Sequence, residues 1–83
     1  MNNQRAHAVR FITEAGLVNP KPVLSRAQIR RLVKSIRRWK QHGRPAGVRF
    51  EGEAPDGRTW NVPYSSILLV QVEKGTGYEA LRL

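Results

Sequence analysis

The sequence predicts an α+β domain in which two N-terminal helices pack on a three- or four-stranded antiparallel β-meander. Apolar residues recur with helical spacing before Pro45, and they alternate with polar ones after it. Two apolar segments of the second half are separated by a turn signal, Pro55-Asp56-Gly57.

The first element expected is a helix from Gln4 to Ala15, because Ala8, Phe11, Ile12 and Ala15 follow the i, i+3, i+4, i+7 pattern and Gly16 stands where a left-handed cap belongs. Pro20 and Pro22 then forbid helix, so the chain crosses in extended form. A second helix is expected over residues 25–42. Ser25 as N-cap and Gln28 three residues later make a capping box, with Leu24 and Ile29 placed as a hydrophobic staple. Gly43 supplies its C-terminal cap and Pro45 blocks resumption.

Beyond Pro45, Val48, Phe50 and Gly52 alternate with Arg49, Glu51 and Glu53, and Trp60 and Val62 alternate with Thr59 and Asn61. That pattern reads as a hairpin. Pro63, Ser65 and Ser66 mark a bend, and Ile67 to Val72 reads as a buried third strand. Gly75-Thr76-Gly77 turns the chain back, and Tyr78 to Leu83 either forms a fourth strand or frays. The expected core sets Ile29, Leu32, Val33, Ile36 and Trp39 against Phe11, Ile12, Val48, Phe50, Trp60, Val62, Ile67 and Leu69.

With 83 residues, 40% of them hydrophobic, the chain reads as a single domain over residues 1–83. It has no cysteine, so disulfides and thiolate metal sites are excluded. No segment approaches the roughly 20 apolar residues of a membrane span, and no signal-peptide core follows Met1. A cytoplasmic protein without membrane contact is expected.

The net charge of +9 is segregated. Residues 1–49 carry twelve Lys or Arg against Glu14 alone, a balance of +11, whereas residues 50–83 carry three cations against five carboxylates, a balance of −2. The second helix concentrates this charge. Helical geometry places Ile29, Leu32, Val33 and Ile36 within an arc of roughly 100°. Arg26, Arg30, Arg31, Lys34, Arg37 and Arg38 fill one flank and the back, and Arg26, Arg30 and Lys34 form a row of like charges at i, i+4 spacing. Such a row repels itself unless a polyanion neutralises it. Arg44 lies just past the helix and Arg58 at the hairpin tip, and both join the candidate nucleic-acid-binding set.

Trp39, Trp60 and Tyr64 could stack on unpaired bases, but their phase with neighbouring apolar residues assigns the two tryptophans to the core. His7 and His42 are too far apart in the chain to suggest a metal site. Glu51 and Glu53 fall on the solvent face of a strand, where carboxylates are ordinary. No phosphate loop or nucleophile motif is present, so neither an enzyme nor a cofactor is expected.

These features point to a small nucleic-acid-binding protein with a regulatory role, contacting the phosphates of duplex DNA in preference to RNA through the cationic face of helix 25–42. A winged-helix arrangement, with that helix in the major groove and the hairpin as wing, is compatible with the pattern. The alternative is a phage-type inhibitor or adaptor that docks on an acidic surface of a larger protein machine. A third possibility is an RNA-cleaving or ribosome-associated toxin.

Overall fold

A computed structural model describes residues 6–54 and 56–83. Its first element is a strand, β1 (Ala6–Thr13), where the spacing predicts a helix. The physical reason lies in which residues carry each period. The helical set relies on two alanines, which gain little from burial. The period-two set His7, Val9, Phe11, Thr13 is mostly β-branched or aromatic, and it buries Val9 and Phe11 to 0% exposure. The expected start of that helix at Gln4 lies outside the described residues.

Gly16 is accordingly not a helix cap. With φ at +112° it ends the two-residue Glu14-Ala15 loop that joins β1 to β2 (Gly16–Leu17), a backbone conformation that suits glycine. The Thr13 hydroxyl holds this turn, donating to the Gly16 carbonyl at 2.9 Å and accepting from the Ala15 amide at 3.2 Å. The chain then crosses through its prolines into β3 (Val23–Ser25), which pairs with the start of β1.

Helix α1 (Arg26–Gln41), capped by Ser25 and His42, matches the expected bounds. Ser25 accepts the Gln28 amide at 3.2 Å, and the Gln28 side chain accepts the Ser25 amide at 2.8 Å, closing the capping box. Leu24 and Ile29 are both buried in the core cluster, as a staple requires. At the far end Gly43 has φ +85° and Arg44 has φ +57°, so two successive left-handed residues terminate the helix. Replacing Ser25 with Ala is expected to lower stability by about 1 kcal/mol in a urea titration, because the Gln28 amide loses its acceptor. An unchanged midpoint would show that the cap contributes nothing.

The hairpin forms as its alternation predicts. Strands β4 (Arg49–Glu53) and β5 (Thr59–Pro63) pair antiparallel with Phe50 opposite Val62 and Gly52 opposite Trp60. Pro55 of the turn signal lies outside the described residues. A short 3₁₀ turn at Tyr64–Ser66 leads into β6 (Ile67–Lys74), and Gly75, with φ +61°, turns the chain into β7 (Gly77–Ala80).

These strands do not make one meander. Strand β6 leaves the hairpin and inserts between β1 and β7, so the larger sheet has the order β2-β1-β6-β7 with β3 also on β1, and β4-β5 stands as a second sheet. The expected fold class is therefore corrected: the described residues are α+β with one α-helix and seven strands in two antiparallel sheets, not two N-terminal helices on a meander. The described residues hold one α-helix, so they do not form the winged-helix arrangement, which needs more than one.

The β1–β6 register sets Val9 opposite Val72 and Phe11 opposite Val70, which puts all four on one sheet face. Helix α1 covers that face with Ile29, Leu32 and Ile36. Each large side chain so buried contributes about 1.5–3 kcal/mol of hydrophobic free energy. Alternation directs Ile12 and Leu69, two expected core residues, to the opposite face, and both are only half-buried. Val48, also expected in the core, is 38% exposed. The smaller sheet joins the core through Phe50, whose ring lies 4.8 Å from that of Phe11. Past β7 the chain stays attached, with the Leu81 amide donating to the Val70 carbonyl at 2.9 Å.

Candidate nucleic-acid interface

Helix α1 is about 24 Å long. Because Ile29, Leu32 and Ile36 turn inward, Arg26, Arg30, Arg31, Lys34, Arg37 and Arg38 are all exposed. The i, i+4 row extends further than three residues: Arg26, Arg30, Lys34 and Arg38 run the length of the helix. Two ion pairs occur among the described residues, Arg58 with Asp56 and Lys74 with Glu79, and neither involves α1. No carboxylate stands in the first turn either, since the capping box meets that need with neutral groups. The positive end of the helix dipole is thus left without a counter-charge from the helix itself.

The remaining members of the expected set are placed differently. Arg37 donates to the Arg82 carbonyl at 2.9 Å, and the neighbouring Lys40 donates to the Leu83 carbonyl at 3.2 Å, so the lower edge of the patch fastens the end of the chain. Arg44 sits just beyond the helix with its guanidinium 5.9 Å from the Trp39 ring. Trp39 itself is half-buried and donates to the Pro45 carbonyl at 2.8 Å, while Trp60 is buried and donates to the Pro20 carbonyl at 2.8 Å. Both tryptophans, and the buried Tyr64, are therefore core residues.

Arg58 lies at the hairpin tip and is engaged there. Its backbone amide meets Asp56 Oδ1 at 3.1 Å and its Nε meets Oδ2 at 2.7 Å. The amide contact, followed by the guanidinium contact, holds the Asp56 carboxyl below its ordinary pKa of 3.8. In an NMR titration the Asp56 midpoint is expected below that value in the native protein. Arg58→Ala should raise it only in part, because the amide donor remains. A midpoint at the ordinary value in the native protein would mean that the tip contacts do not form in solution.

Two features were not legible as part of a site. Arg82 is brought beside Arg37 by the returning chain, which no local signal announces. Arg10 and Lys21 gather around Tyr78 on the uncovered sheet face, at 3.9 Å and 5.5 Å from the ring centre. Alternation along β1 would have assigned Arg10 to that face once the strand was known.

No family model, curated protein or solved structure matches the chain. Geometry and charge alone carry the functional reading. Among the described residues, no helix is long and apolar enough to cross a membrane.

Proposed function

We propose that the protein binds nucleic acid, with the exposed face of α1 laid against the phosphates of duplex DNA. The observation that supports this reading is the four-membered row Arg26, Arg30, Lys34 and Arg38, flanked by Arg31 and Arg37 and free of carboxylate partners among the described residues. Folding brings like charges together here at a cost, and phosphates would convert that cost into affinity through release of counterions. Duplex DNA is preferred over RNA because the major groove of B-form DNA admits an α-helix, whereas that of A-form RNA is too deep and narrow for side chains to reach its bases. The proposed activity is non-enzymatic, and a regulatory role follows from occupancy alone.

The test is a fluorescence anisotropy titration of a labelled 20-base-pair duplex at several salt concentrations. Engagement of phosphates by all six cations predicts that the logarithm of the binding constant falls against the logarithm of salt with a slope near −5, roughly 0.9 per phosphate neutralised. Absence of binding at low salt would transfer the patch to the second reading, an acidic protein surface. Tighter binding to a structured RNA of equal charge would overturn the preference for DNA.

A further inference from the structure

A groove of about 450 Å³ runs between β4 and α1, floored by Leu24, Leu32, Phe50, Trp60 and Tyr64 and walled on the helix side by Arg31. All five residues of β4 line it, but only Trp60 of β5 does, so the groove lies along the edge of β4 that β5 does not cover.

That edge is chemically open. The Tyr64 amide donates to the Val48 carbonyl at 2.9 Å and the Ala54 amide to the Arg58 carbonyl at 2.7 Å, which fixes the phase of the hairpin ladder. Alternate residues of an antiparallel strand turn their amide and carbonyl to opposite sides. Phe50 and Gly52 therefore bond to β5, while Arg49, Glu51 and Glu53 turn theirs into the groove. Pro63 stands opposite Arg49, where the missing amide costs the ladder nothing. Among the described residues the main-chain groups of Arg49, Glu51 and Glu53 have no hydrogen-bond partner. The side chains add a second constraint. Glu51 and Glu53 are exposed, belong to neither ion pair, and face only neutral Asn61 and Thr59 across the hairpin.

We propose that this groove takes an extended peptide of a partner protein, added antiparallel as a third strand on β4, with apolar side chains at alternate positions and basic ones between them. Strand addition satisfies the free amides and carbonyls. The apolar residues, opposite Phe50 and Gly52, rest on the groove floor, and the basic residues stand opposite Glu51 and Glu53, where opposite charges pair well across strands. An acidic residue completes the register opposite Arg49. Pairing β4 with a second copy about Glu51 would set Arg49 against Glu53 on either side but Glu51 against Glu51 at the centre, where the peptide offers a cation instead. Nucleic acid is disfavoured at these carboxylates.

The test uses the ¹⁵N-labelled full chain and the capped pentapeptide Lys-Val-Lys-Val-Glu, whose net positive charge keeps it off the outward cationic row of α1, so that it reads this groove independently of the proposed DNA contact. Amide shifts are expected at Arg49, Glu51 and Glu53. Read at those three amides, the charge-reversed Glu-Val-Glu-Val-Lys should bind at least about tenfold more weakly. N-methylation of the central Lys, whose amide points at β4, should weaken binding by about tenfold or more, and N-methylation of the following Val, whose amide points away, should not. Glu51→Pro removes one groove-facing donor, and the carboxylate with it, without touching the β5 ladder, and should weaken binding at least as much as the first methylation. No shifts, equal binding of the two peptides, or equal tolerance of the two methyl groups would overturn the proposal. So would self-association of the free chain that Glu51→Pro abolishes, since the occupant would then be a second copy.

Discussion

Replacing Arg30, Lys34 and Arg38 together with Ala is expected to weaken duplex binding on the order of ten- to a hundredfold at moderate salt, and to reduce the salt slope by about 2.7, some 0.9 for each phosphate no longer neutralised. The same variant should be no less stable than the parent. All three side chains are exposed and belong to neither ion pair of the described residues, so truncation empties no cavity. They also stand one turn apart, and each like-charged pair removed relieves about 0.2–0.5 kcal/mol of repulsion, while Ala is the strongest helix former. Affinity falls while the melting temperature holds or rises. That opposition separates a binding role from a structural one. A variant that binds duplex with the parental slope would remove α1 as the contact, and a variant that unfolds would mean that the buried stripe has been misplaced.

Phe11→Ala is expected to be the most damaging single substitution in the core, lowering stability by about 3–5 kcal/mol. The ring is fully buried, and it stands at the junction of the two sheets: Phe11 touches Phe50, which lies 6.5 Å from Trp60 between ring centres. Emptying that position uncouples the hairpin from the larger sheet and leaves a cavity under α1. A small domain with total stability of about 5–15 kcal/mol has little margin against such a loss. Ile12→Ala, one residue further along on the open face of β1, should be clearly milder in the same urea titration. Equal losses at the two positions would contradict the strand geometry of β1, since only a helix would place both side chains in the core.

The contrast between Phe11 and Ile12 also explains what the sequence could and could not convey. Helix α1 was legible to within a residue at each end because its evidence is local: Ser25 and Gln28 are three apart, and Gly43 and Pro45 follow at once. The hairpin was legible for the same reason, its alternation and turn lying within 15 residues. Strand β1 was not, because the segment carries both periods, a helical one in Ala8, Phe11, Ile12 and Ala15 and a strand one in His7, Val9, Phe11 and Thr13, and the choice between them is made by β6, nearly sixty residues away. Sheet order was hidden likewise, since nothing near Ile67 says that it will pair with Thr13 rather than continue from Pro63. For the charged face, exposure of the six helical cations followed from the wheel, but the fastening of Arg37 to Arg82 needed the tertiary fold. The open edge of β4 was similarly invisible, because it depends on the helix that stands beside it.

The pairing of Val9 with Val72 has a consequence for how the molecule comes into being. A sixteen-residue helix crowded with like charges is marginal by itself, and most of its stability must come from the sheet it rests on. That sheet is centred on two strands from opposite ends of the described chain, so the slow event in folding is the closure of a loop of roughly sixty residues. The cationic face is therefore a late product of assembly, held in shape only after those distant segments have met. A polyanion that grips it favours the assembled chain over the open one, and so acts as a clamp on a contact it never touches.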